Sequence, residues 1–411
     1  MTLSTSAPVS APTSNSASEL LAMEEQYGAH NYHPLPIVVE RAQGVWVYDT
    51  AGKRYLDCLS AYSALNQGHA HPTILAAFVE QAQRVTLTSR AFHNDQLPLF
   101  CRELAELTGL DVVLPMNSGA EAVETAIKAA RRWGYQVKQI PADQAEVIVC
   151  DGNFHGRTTT IVGFSSEAGY RQGFGPFTPG FVSVPYGDLK ALRAAINERT
   201  CAFLVEPIQC EAGIVMPPPG YLEAAAELCR ERHVLFLADE IQTGLGRTGA
   251  WFACEYAGVE PDIYILGKAL SGGFYPVSAV IGKRAVMELF TAGSHGSTYG
   301  GNPLGCAVAR AALRVLREER LVERAAGLGL KLLEALKPLE GGVVREVRGR
   351  GLLVGLELTA PARVYCERLM ERGVLCKETH DFVIRLAPPL VISEDEMNWM
   401  VEQVRAVLTS A

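Results

Sequence analysis

The stretch of sequence that decides the fold is PDIYILGKALSGG, residues 261–273. Its apolar run, 263–266, has the length and β-branched content of a buried strand, and Gly267 ends that run. Lys268 follows at once, where a parallel strand would deliver it into a cleft, and it is one of only nine lysines against 28 arginines. Burial there disfavours the ammonium form, and a neutral lysine amine forms a Schiff base with an aldehyde. Taken alone, the stretch also fits a lysine that ends a strand with its amine in water.

Length and composition exclude several classes of protein. A chain of 411 residues with 48% hydrophobic residues predicts two or three domains, or one large α/β unit with an appendage. The net charge of −8 and the absence of a basic stripe argue against nucleic acid as the main partner. No apolar run has the length of a membrane span. The ten cysteines show neither a C-x-x-C pair nor metal-like spacing, which predicts buried thiols in a reducing compartment and no metal site.

The first 18 residues are rich in Ser, Thr, Ala and Pro, and no basic residue precedes Arg41. A signal peptide needs a charged start with an apolar stretch, and an organellar transit peptide needs arginines. We therefore expect residues 1–18 to form a disordered tail, and the protein to be cytoplasmic.

Apolar strand-like runs alternate with segments whose apolar residues recur at helical spacing. The predicted strands that bear on function are 112–116, 146–150, 202–205, 234–238 and 263–266. This alternation predicts an α/β fold with a mostly parallel sheet, whose ligands gather at the carboxyl ends of the strands. From position 343 onward, short strands and helices predict a separate, small α+β domain.

Ser118, with Glu121 three residues later, predicts a capped helix that begins directly after a strand. We expect Ser118, Gly119 and Ala120 to leave backbone N–H groups unpaired there, which would form an anion site. An ordinary capped helix without a ligand is the alternative.

The strand ends supply the other parts of one site. Chemistry at an amino-bearing carbon requires an aldehyde cofactor held by a lysine, with its ring nitrogen kept protonated by a carboxylate. Asp239, at a strand end 29 residues before Lys268, can provide that carboxylate. The phosphate of such a cofactor suits the helix start at Ser118, and Phe154 in the loop GNFHGR, residues 152–157, can cover the ring.

One motif is misleading. Residues 244–249, GLGRTG, match the dinucleotide fingerprint G-x-G-x-x-G, but no helical pattern follows them, and the next strand comes after Asp262 rather than before an acidic residue. The structural context that this fingerprint requires is missing, so we do not predict NAD binding.

The sequence resembles the class III, fold-type I pyridoxal-phosphate aminotransferases and, among them, the ornithine aminotransferases. The resemblance runs from about Tyr27 to the last helix, and its motifs include AHNYHPLP, SAYSALNQGH, VLPMNSGAEAVETAIK, FHGRT, GFGPFTPG, VEPIQCEAG, ADEIQTGLGRTG, LGKALSGG, HGSTYGGNPLG and IRLAPPL. It implies a large domain with a mostly parallel seven-stranded sheet flanked by helices, and a small α+β domain formed by the chain ends. The implied limits are 19–70 for an N-terminal segment that packs on the small domain, 71–310 for the large domain and 311–411 for the small domain.

The resemblance also implies roles toward pyridoxal 5'-phosphate. Lys268 would hold the cofactor covalently and carry a proton, Asp239 would pair with the ring nitrogen, and Gln242 would contact the ring oxygen. Phe154 and His155 would lie at the ring, and no unique role is implied for His155. The other implied cofactor residues are Ser118, Gly119 and Ala120 at the phosphate, and Ser297 with Thr298. Thr298 is expected to reach the phosphate in the partner subunit, which makes a homodimer necessary for a complete site.

For the substrates, the resemblance implies that Arg157 binds the α-carboxylate of ornithine and Tyr32 its α-amino group, while Tyr62 lines the same pocket. Arg385 would bind the α-carboxylate of 2-oxoglutarate, and Glu211 would neutralise Arg385 while ornithine reacts. Cys210 stands where relatives often have glycine, which bears on how Glu211 moves.

Other activities remain open on the sequence. The nearest alternative is an acetylornithine aminotransferase, and a 4-aminobutyrate aminotransferase and a glutamate 1-semialdehyde aminomutase follow. A non-enzymatic, cofactor-binding regulator is a further alternative, although no DNA-binding segment is attached.

Overall fold

The computed structural model describes residues 15–409. The helices are α1 (Ala17–Tyr27), α2 (Ser60–Ser63), α3 (Pro72–Arg84), α4 (Leu97–Thr108), α5 (Gly119–Gln136), α6 (Thr159–Gly163), α7 (Ala168–Arg171), α8 (Leu189–Ala195), α9 (Tyr221–Glu231), α10 (Arg284–Met287), α11 (Pro303–Glu318), α12 (Leu321–Leu336), α13 (Arg363–Glu371) and α14 (Glu394–Thr409). Short 3₁₀ segments are Ala253–Ala257, Lys268–Ser271 and Lys337–Leu339. The strands are β1 (Val39–Gln43), β2 (Trp46–Asp49), β3 (Arg54–Asp57), β4 (Val112–Met116), β5 (Glu146–Cys150), β6 (Phe181–Val184), β7 (Thr200–Val205), β8 (Leu235–Asp239), β9 (Ile263–Leu266), β10 (Ser278–Gly282), β11 (Val344–Arg350), β12 (Leu353–Leu358), β13 (Val374–Leu375), β14 (Lys377–Thr379) and β15 (Val383–Leu386).

The central layer is a seven-stranded sheet in the order β4-β10-β9-β8-β7-β5-β6. Strand β10 runs antiparallel to both of its neighbours, and every other neighbouring pair is parallel. The predicted α/β fold with a mostly parallel seven-stranded sheet is therefore confirmed. Strands β7, β8 and β9 are buried along their whole length, which explains why their sequences are continuously apolar rather than alternating.

Helix α5 shows how the sheet is covered. Small and branched apolar side chains line its buried face, and they let the helix approach the strands closely. At Gly134 the approach is closest: a Cβ atom there would lie 2.8 Å from the Cβ of Cys201 on β7. This packing fixes where the helix begins, and hence where its first N–H groups point.

The parallel strands gather polar side chains at one edge of the sheet. Glu206 follows β7, Asp239 ends β8, and Lys268 comes two residues after β9. Asp239 is in register with Ile265 of the neighbouring strand, which brings the ends of β8 and β9 together. The edge at which ligands bind in such sheets therefore carries a lysine and two carboxyl groups.

Two smaller sheets involve the chain ends. One has the order β1-β2-β3-β13 and the other β11-β12-β15-β14. Strand β3 pairs in parallel with β13, and Trp46 donates an indole hydrogen bond of 2.8 Å to Glu396 on α14. The predicted domain limits stay predictions, and the limit between 310 and 311 falls inside α11.

The predicted disordered tail, 1–18, needs a correction at its end. Residues 1–14 lie outside the described part of the chain. Ser16 caps α1 through a capping box with Glu19, so Ala17 and Ser18 are helical. The pattern Ser16-x-x-Glu19 is itself a signature of a helix start, and the composition of the tail had obscured it.

The ten cysteines are free, and all except the partly buried Cys101 are buried, as their spacing predicted. Between residues 15 and 409 there is no helix with both the length and the apolar character that a membrane crossing requires.

Candidate active site

Two adjoining cavities open at the carboxyl edge of the central sheet. An inner cavity of about 200 Å³ is lined, among others, by Gly119, Ala120, Phe154, His155, Asp239, Gln242 and Lys268. An outer cavity of about 380 Å³ is lined, among others, by Tyr32, Tyr62, Arg157, Glu211 and Arg385. Phe154 lines both cavities. The structure therefore brings together most of the site residues predicted from the sequence, while Ser118, Ser297 and Thr298 line neither cavity.

Lys268 enters the inner cavity from a strained backbone. Its φ is +43°, in the left-handed region that residues with side chains seldom adopt, at a cost of about 1–2 kcal/mol. Gly267 before it and the turn Gly272-Gly273 after it allow the chain to leave β9 sharply. Strain of this kind persists where the surroundings fix a side chain for function.

Asp239 is held in place by His155. The Nδ1 atom of His155 lies 2.6 Å from Oδ2 of Asp239, and the backbone N–H of Ile241 donates to Oδ1. Burial disfavours the charged imidazole, yet the hydrogen bond and the charge of Asp239 raise the pKa of His155 above its usual value. No distinct role was predicted for His155, and the fold makes it the hydrogen-bond partner of Asp239.

Glu206 is a second buried carboxyl group in the inner cavity that the sequence did not identify as functional. Burial raises its pKa to about 8, and its Oε2 accepts a hydrogen bond of 3.0 Å from the backbone N–H of Phe154. Burial therefore favours the protonated, neutral form of this carboxyl group. Its position directly after the buried strand β7 was the signal that could have pointed to it.

The start of α5 provides an anion site, with one correction to the prediction. The N–H of Ser118 is not unpaired, because it donates to Oε2 of Glu121 at 2.8 Å as part of the capping box. Gly119 and Ala120 remain as the donors that face the inner cavity. The space is small: a Cβ on Gly156 would lie 2.9 Å from that of Ala120, so larger side chains would fill the cradle.

Ser297 and Thr298 differ in their surroundings. The Oγ of Ser297 accepts a hydrogen bond of 3.1 Å from Asn117, the residue before the cap of α5. Thr298 is exposed at the surface of the chain. Ser297 therefore lies beside the anion site of its own chain, whereas Thr298 is accessible to another molecule.

In the outer cavity, both terminal nitrogens of Arg385 are engaged, whereas its buried Nε has no hydrogen-bond partner among residues 15–409. Its Nη1 and Nη2 lie 2.7 and 2.8 Å from the two carboxylate oxygens of Glu211, and Nη1 also donates to Oε1 of Gln242 at 2.9 Å. The amide nitrogen of Gln242 donates to Glu211 at 3.2 Å, so the three side chains form one network. Burial would raise the pKa of Glu211, but the charge and hydrogen bonds of Arg385 outweigh it and lower the pKa to about 2.

Arg157 is exposed and differently held. Its Cζ lies 3.4 Å from the ring centroid of Tyr170 and 5.4 Å from that of Phe154. Within residues 15–409 the guanidinium makes neither an ion pair nor a hydrogen bond. A carboxylate that enters the outer cavity would therefore find this guanidinium available.

Tyr62 reaches the outer cavity from an unusual turn. Each residue of α2, Ser60–Ser63, has a positive φ, between 46° and 70°, so the turn is left-handed. Asp57 stabilises it by accepting hydrogen bonds of 2.9 Å from the N–H groups of Leu59 and Ser60. The ring of Tyr62 then lies 5.2 Å from Cζ of Arg385. Tyr32 lines the same cavity from its rim, where it is 71% exposed.

The segment GLGRTG, 244–249, has a structural role that its motif did not predict, because Arg247 within it links distant parts of the chain. The buried guanidinium of Arg247 donates to the carbonyl groups of Leu352 and Pro388 at 2.8 and 2.7 Å, and to Oδ1 of Asn66 at 2.6 Å. Asn66 follows the turn of Tyr62, and Pro388 follows the strand of Arg385. Arg247 therefore joins the chain segment that carries Tyr62 to the one that carries Arg385.

Comparison with known proteins agrees with this arrangement. A family model described as aminotransferase class-III matches residues 27–408. The chain belongs to the class-III aminotransferases. Members of this family are pyridoxal-phosphate enzymes. The small, N–H-lined cradle at α5, the buried carboxylate of Asp239 and the lysine between them fit that cofactor.

The chain is similar to several individual members of the family. It is 59% identical to the ornithine aminotransferase of Halalkalibacterium halodurans over 96% of this chain and 99% of that protein. A solved structure of the ornithine aminotransferase of Toxoplasma gondii, with partial occupancy of the cofactor, shares 45% identity at a TM-score of 0.95 and covers 96% of this chain and 94% of that one. An acetylornithine aminotransferase from Elizabethkingia anophelis shares 46% identity at a TM-score of 0.88, over 97% and 100% of the two chains.

Proposed function

We propose that this class-III aminotransferase transfers the δ-amino group of L-ornithine to 2-oxoglutarate. The products are glutamate and glutamate 5-semialdehyde, which cyclises to pyrroline-5-carboxylate. The observation that carries the proposal is the contrast in the outer cavity, where Arg385 is neutralised by Glu211 and Arg157 is available. High identity to proteins named ornithine aminotransferase supports it.

The residues of the inner cavity suit the cofactor of the family. When bound, pyridoxal phosphate supplies an electron-accepting ring that stabilises a carbanion beside the amine nitrogen. Lys268 would hold its aldehyde and afterwards carry the proton, and Asp239, fixed by His155, would keep the ring nitrogen protonated. Gly119 and Ala120, with the Ser118 cap, would hold the phosphate, Phe154 would cover a ring face, and Gln242 would contact the ring oxygen.

The outer cavity would orient ornithine by its two ends. Arg157 binds the α-carboxylate, and Tyr32 and Tyr62 line the pocket around the α-amino group, so the δ-amine is directed inward. Glu211 keeps Arg385 from attracting that carboxylate to the wrong end, because a buried unpaired guanidinium would bind it strongly. In the second half-reaction Glu211 moves away, and Arg385 binds the α-carboxylate of 2-oxoglutarate.

We also propose that the enzyme acts as a homodimer. Thr298 is exposed, and next to it Tyr299 exposes half of its surface. In the dimer Thr298 would contact the cofactor phosphate of the partner subunit, so that each site requires both chains.

A single-turnover absorbance experiment tests the substrate. The cofactor-loaded enzyme is mixed separately with ornithine, N-acetylornithine and 4-aminobutyrate, and the conversion of its aldehyde form to its amine form is followed. We expect ornithine to react at the highest rate at equal concentration. A clear preference for N-acetylornithine would replace the proposal with the activity named for the Elizabethkingia protein, and turnover without an oxo-acid acceptor would indicate an aminomutase.

A further inference from the structure

Tyr170 lines the outer cavity, although the sequence motifs predicted no role for it in the site. It lies on the single turn α7, Ala168–Arg171, in a segment without helical or strand periodicity. Its ring lies 3.4 Å from Cζ of Arg157, the distance of a face-to-face stack, and it meets the ring of Phe154 edge to face at 6.2 Å. Arg157 therefore sits in a corner formed by two aromatic rings.

The geometry of the stack determines which donors of Arg157 remain available. A guanidinium group is planar, and its five N–H bonds lie in the plane of the group. A ring that covers one face leaves the edge open, and the edge is where a carboxylate binds in a bidentate way. An exposed arginine without such support loses side-chain entropy when it binds a ligand, whereas a stacked one is already ordered.

The turn that carries Tyr170 is itself anchored. Glu167, the residue before α7, lies 3.4 Å from Nε2 of His380, which follows β14 in the C-terminal sheet. This contact links the turn that carries Tyr170 to the C-terminal sheet.

We propose that Tyr170 is a positioning residue for substrate recognition, which orients Arg157 by stacking so that its open edge receives the α-carboxylate of the amino donor. This inference rests on the proposed function, since it explains how the outer cavity would select an α-amino acid over a diamine without a carboxylate. Its contribution comes from the aromatic face and not from the phenolic hydroxyl.

The test compares two amines that differ only in the carboxylate. The substrates are L-ornithine and 1,4-diaminobutane, which is ornithine without that group, and the variants are Tyr170→Leu and Tyr170→Phe. Phe174→Leu is the matched control, because Phe174 is exposed in the same loop and lines neither cavity. The apparent binding constant and maximal rate of the first half-reaction are measured for each. In parallel, calorimetry measures the affinity for L-norvaline, which keeps the α-amino acid group but lacks the δ-amine.

We expect Tyr170→Leu to weaken binding of ornithine and norvaline by about 2- to 12-fold, the entropy cost of ordering one long side chain on binding. Binding of 1,4-diaminobutane and the maximal rate with ornithine should not change, and Tyr170→Phe and Phe174→Leu should behave like the wild type. Equal weakening for both amines, or a loss in Tyr170→Phe as large as in Tyr170→Leu, would overturn the inference. A wild type that fails to react with ornithine overturns the proposed function instead, and norvaline binding then still decides the role of Tyr170.

Discussion

The two arginines of the outer cavity have the same side chain in opposite environments. Arg385 is 1% exposed, and its two terminal nitrogens donate to Glu211 and Gln242. Arg157 is exposed, and among residues 15–409 its contacts are aromatic rings against its face, which leave its edge open. A buried guanidinium needs a carboxylate to offset its lost hydration, whereas an exposed one needs only to be oriented. The difference teaches that one cavity can hold two guanidinium groups, of which one is paired with a carboxylate and the other is open to a ligand.

The largest effect should come from the same substitution made at the two arginines. Arg385→Leu leaves Glu211 without its partner, so we expect the free energy of unfolding to fall by about 3–5 kcal/mol. Arg157→Leu removes an exposed cation–π contact and should cost about 1 kcal/mol or less. Denaturant unfolding of both variants measures the difference.

A double variant tests whether the loss in Arg385→Leu comes from the unpaired carboxylate of Glu211. Glu211→Leu combined with Arg385→Leu removes both charges, and we expect it to recover most of the stability lost in Arg385→Leu alone. If Arg157→Leu and Arg385→Leu lowered the free energy of unfolding equally, the burial and pairing of Arg385 would not explain the contrast between the two arginines.

An intermediate effect is expected in the kinetics. Glu211→Ala leaves the guanidinium of Arg385 free to bind the α-carboxylate of ornithine in the wrong orientation. The first half-reaction should therefore slow by roughly tenfold, which corresponds to the free energy of about one charge-assisted hydrogen bond. The half-reaction with glutamate should be unchanged or faster, because Arg385 no longer has to be released. Stopped-flow traces with each amino donor measure the two rates, and an equal loss in both would contradict the switch.

The smallest effect concerns pH. The pKa of Glu211 is lowered from 4.5 to about 2, so the stabilisation from its pairing with Arg385 is fully present above pH 4.5 and is lost as the pH falls toward 2. Between pH 5 and pH 3.5 the wild type should therefore lose about 1 kcal/mol more unfolding free energy than Glu211→Gln, which has no proton to gain. Denaturant titrations at both pH values test this, and parallel losses in the two proteins would refute it.

Local signals explain which elements could be predicted. The bounds of β4, β5 and β9 coincide with their apolar runs, and the capping box of α5 was visible in four residues. Strand β6 and helix α8 were missed, since β6 is short and half exposed and α8 spans only two turns. The claim of an unpaired N–H at Ser118 was wrong because the capping box that predicted the helix consumes that donor.

The candidate site was predictable where strand ends carry it, as for Asp239 and Lys268. It was not predictable where the contacts join distant segments. His155 and Asp239 are 84 residues apart, and Arg247 lies 141 residues from its acceptor at Pro388. Tyr170 stands only 13 positions after Arg157, but it lies in an irregular turn whose direction no periodicity reveals.

The sequence by itself determined the alternation of strands and helices in the central sheet, the lysine and carboxyl groups at the strand ends, and the capped helix start after β4. These follow from short-range physics, because apolar runs, caps and glycines act over a few residues. The tertiary structure alone decided which arginine is neutralised and which is available, since burial and charge pairing depend on segments that meet only after the chain has folded.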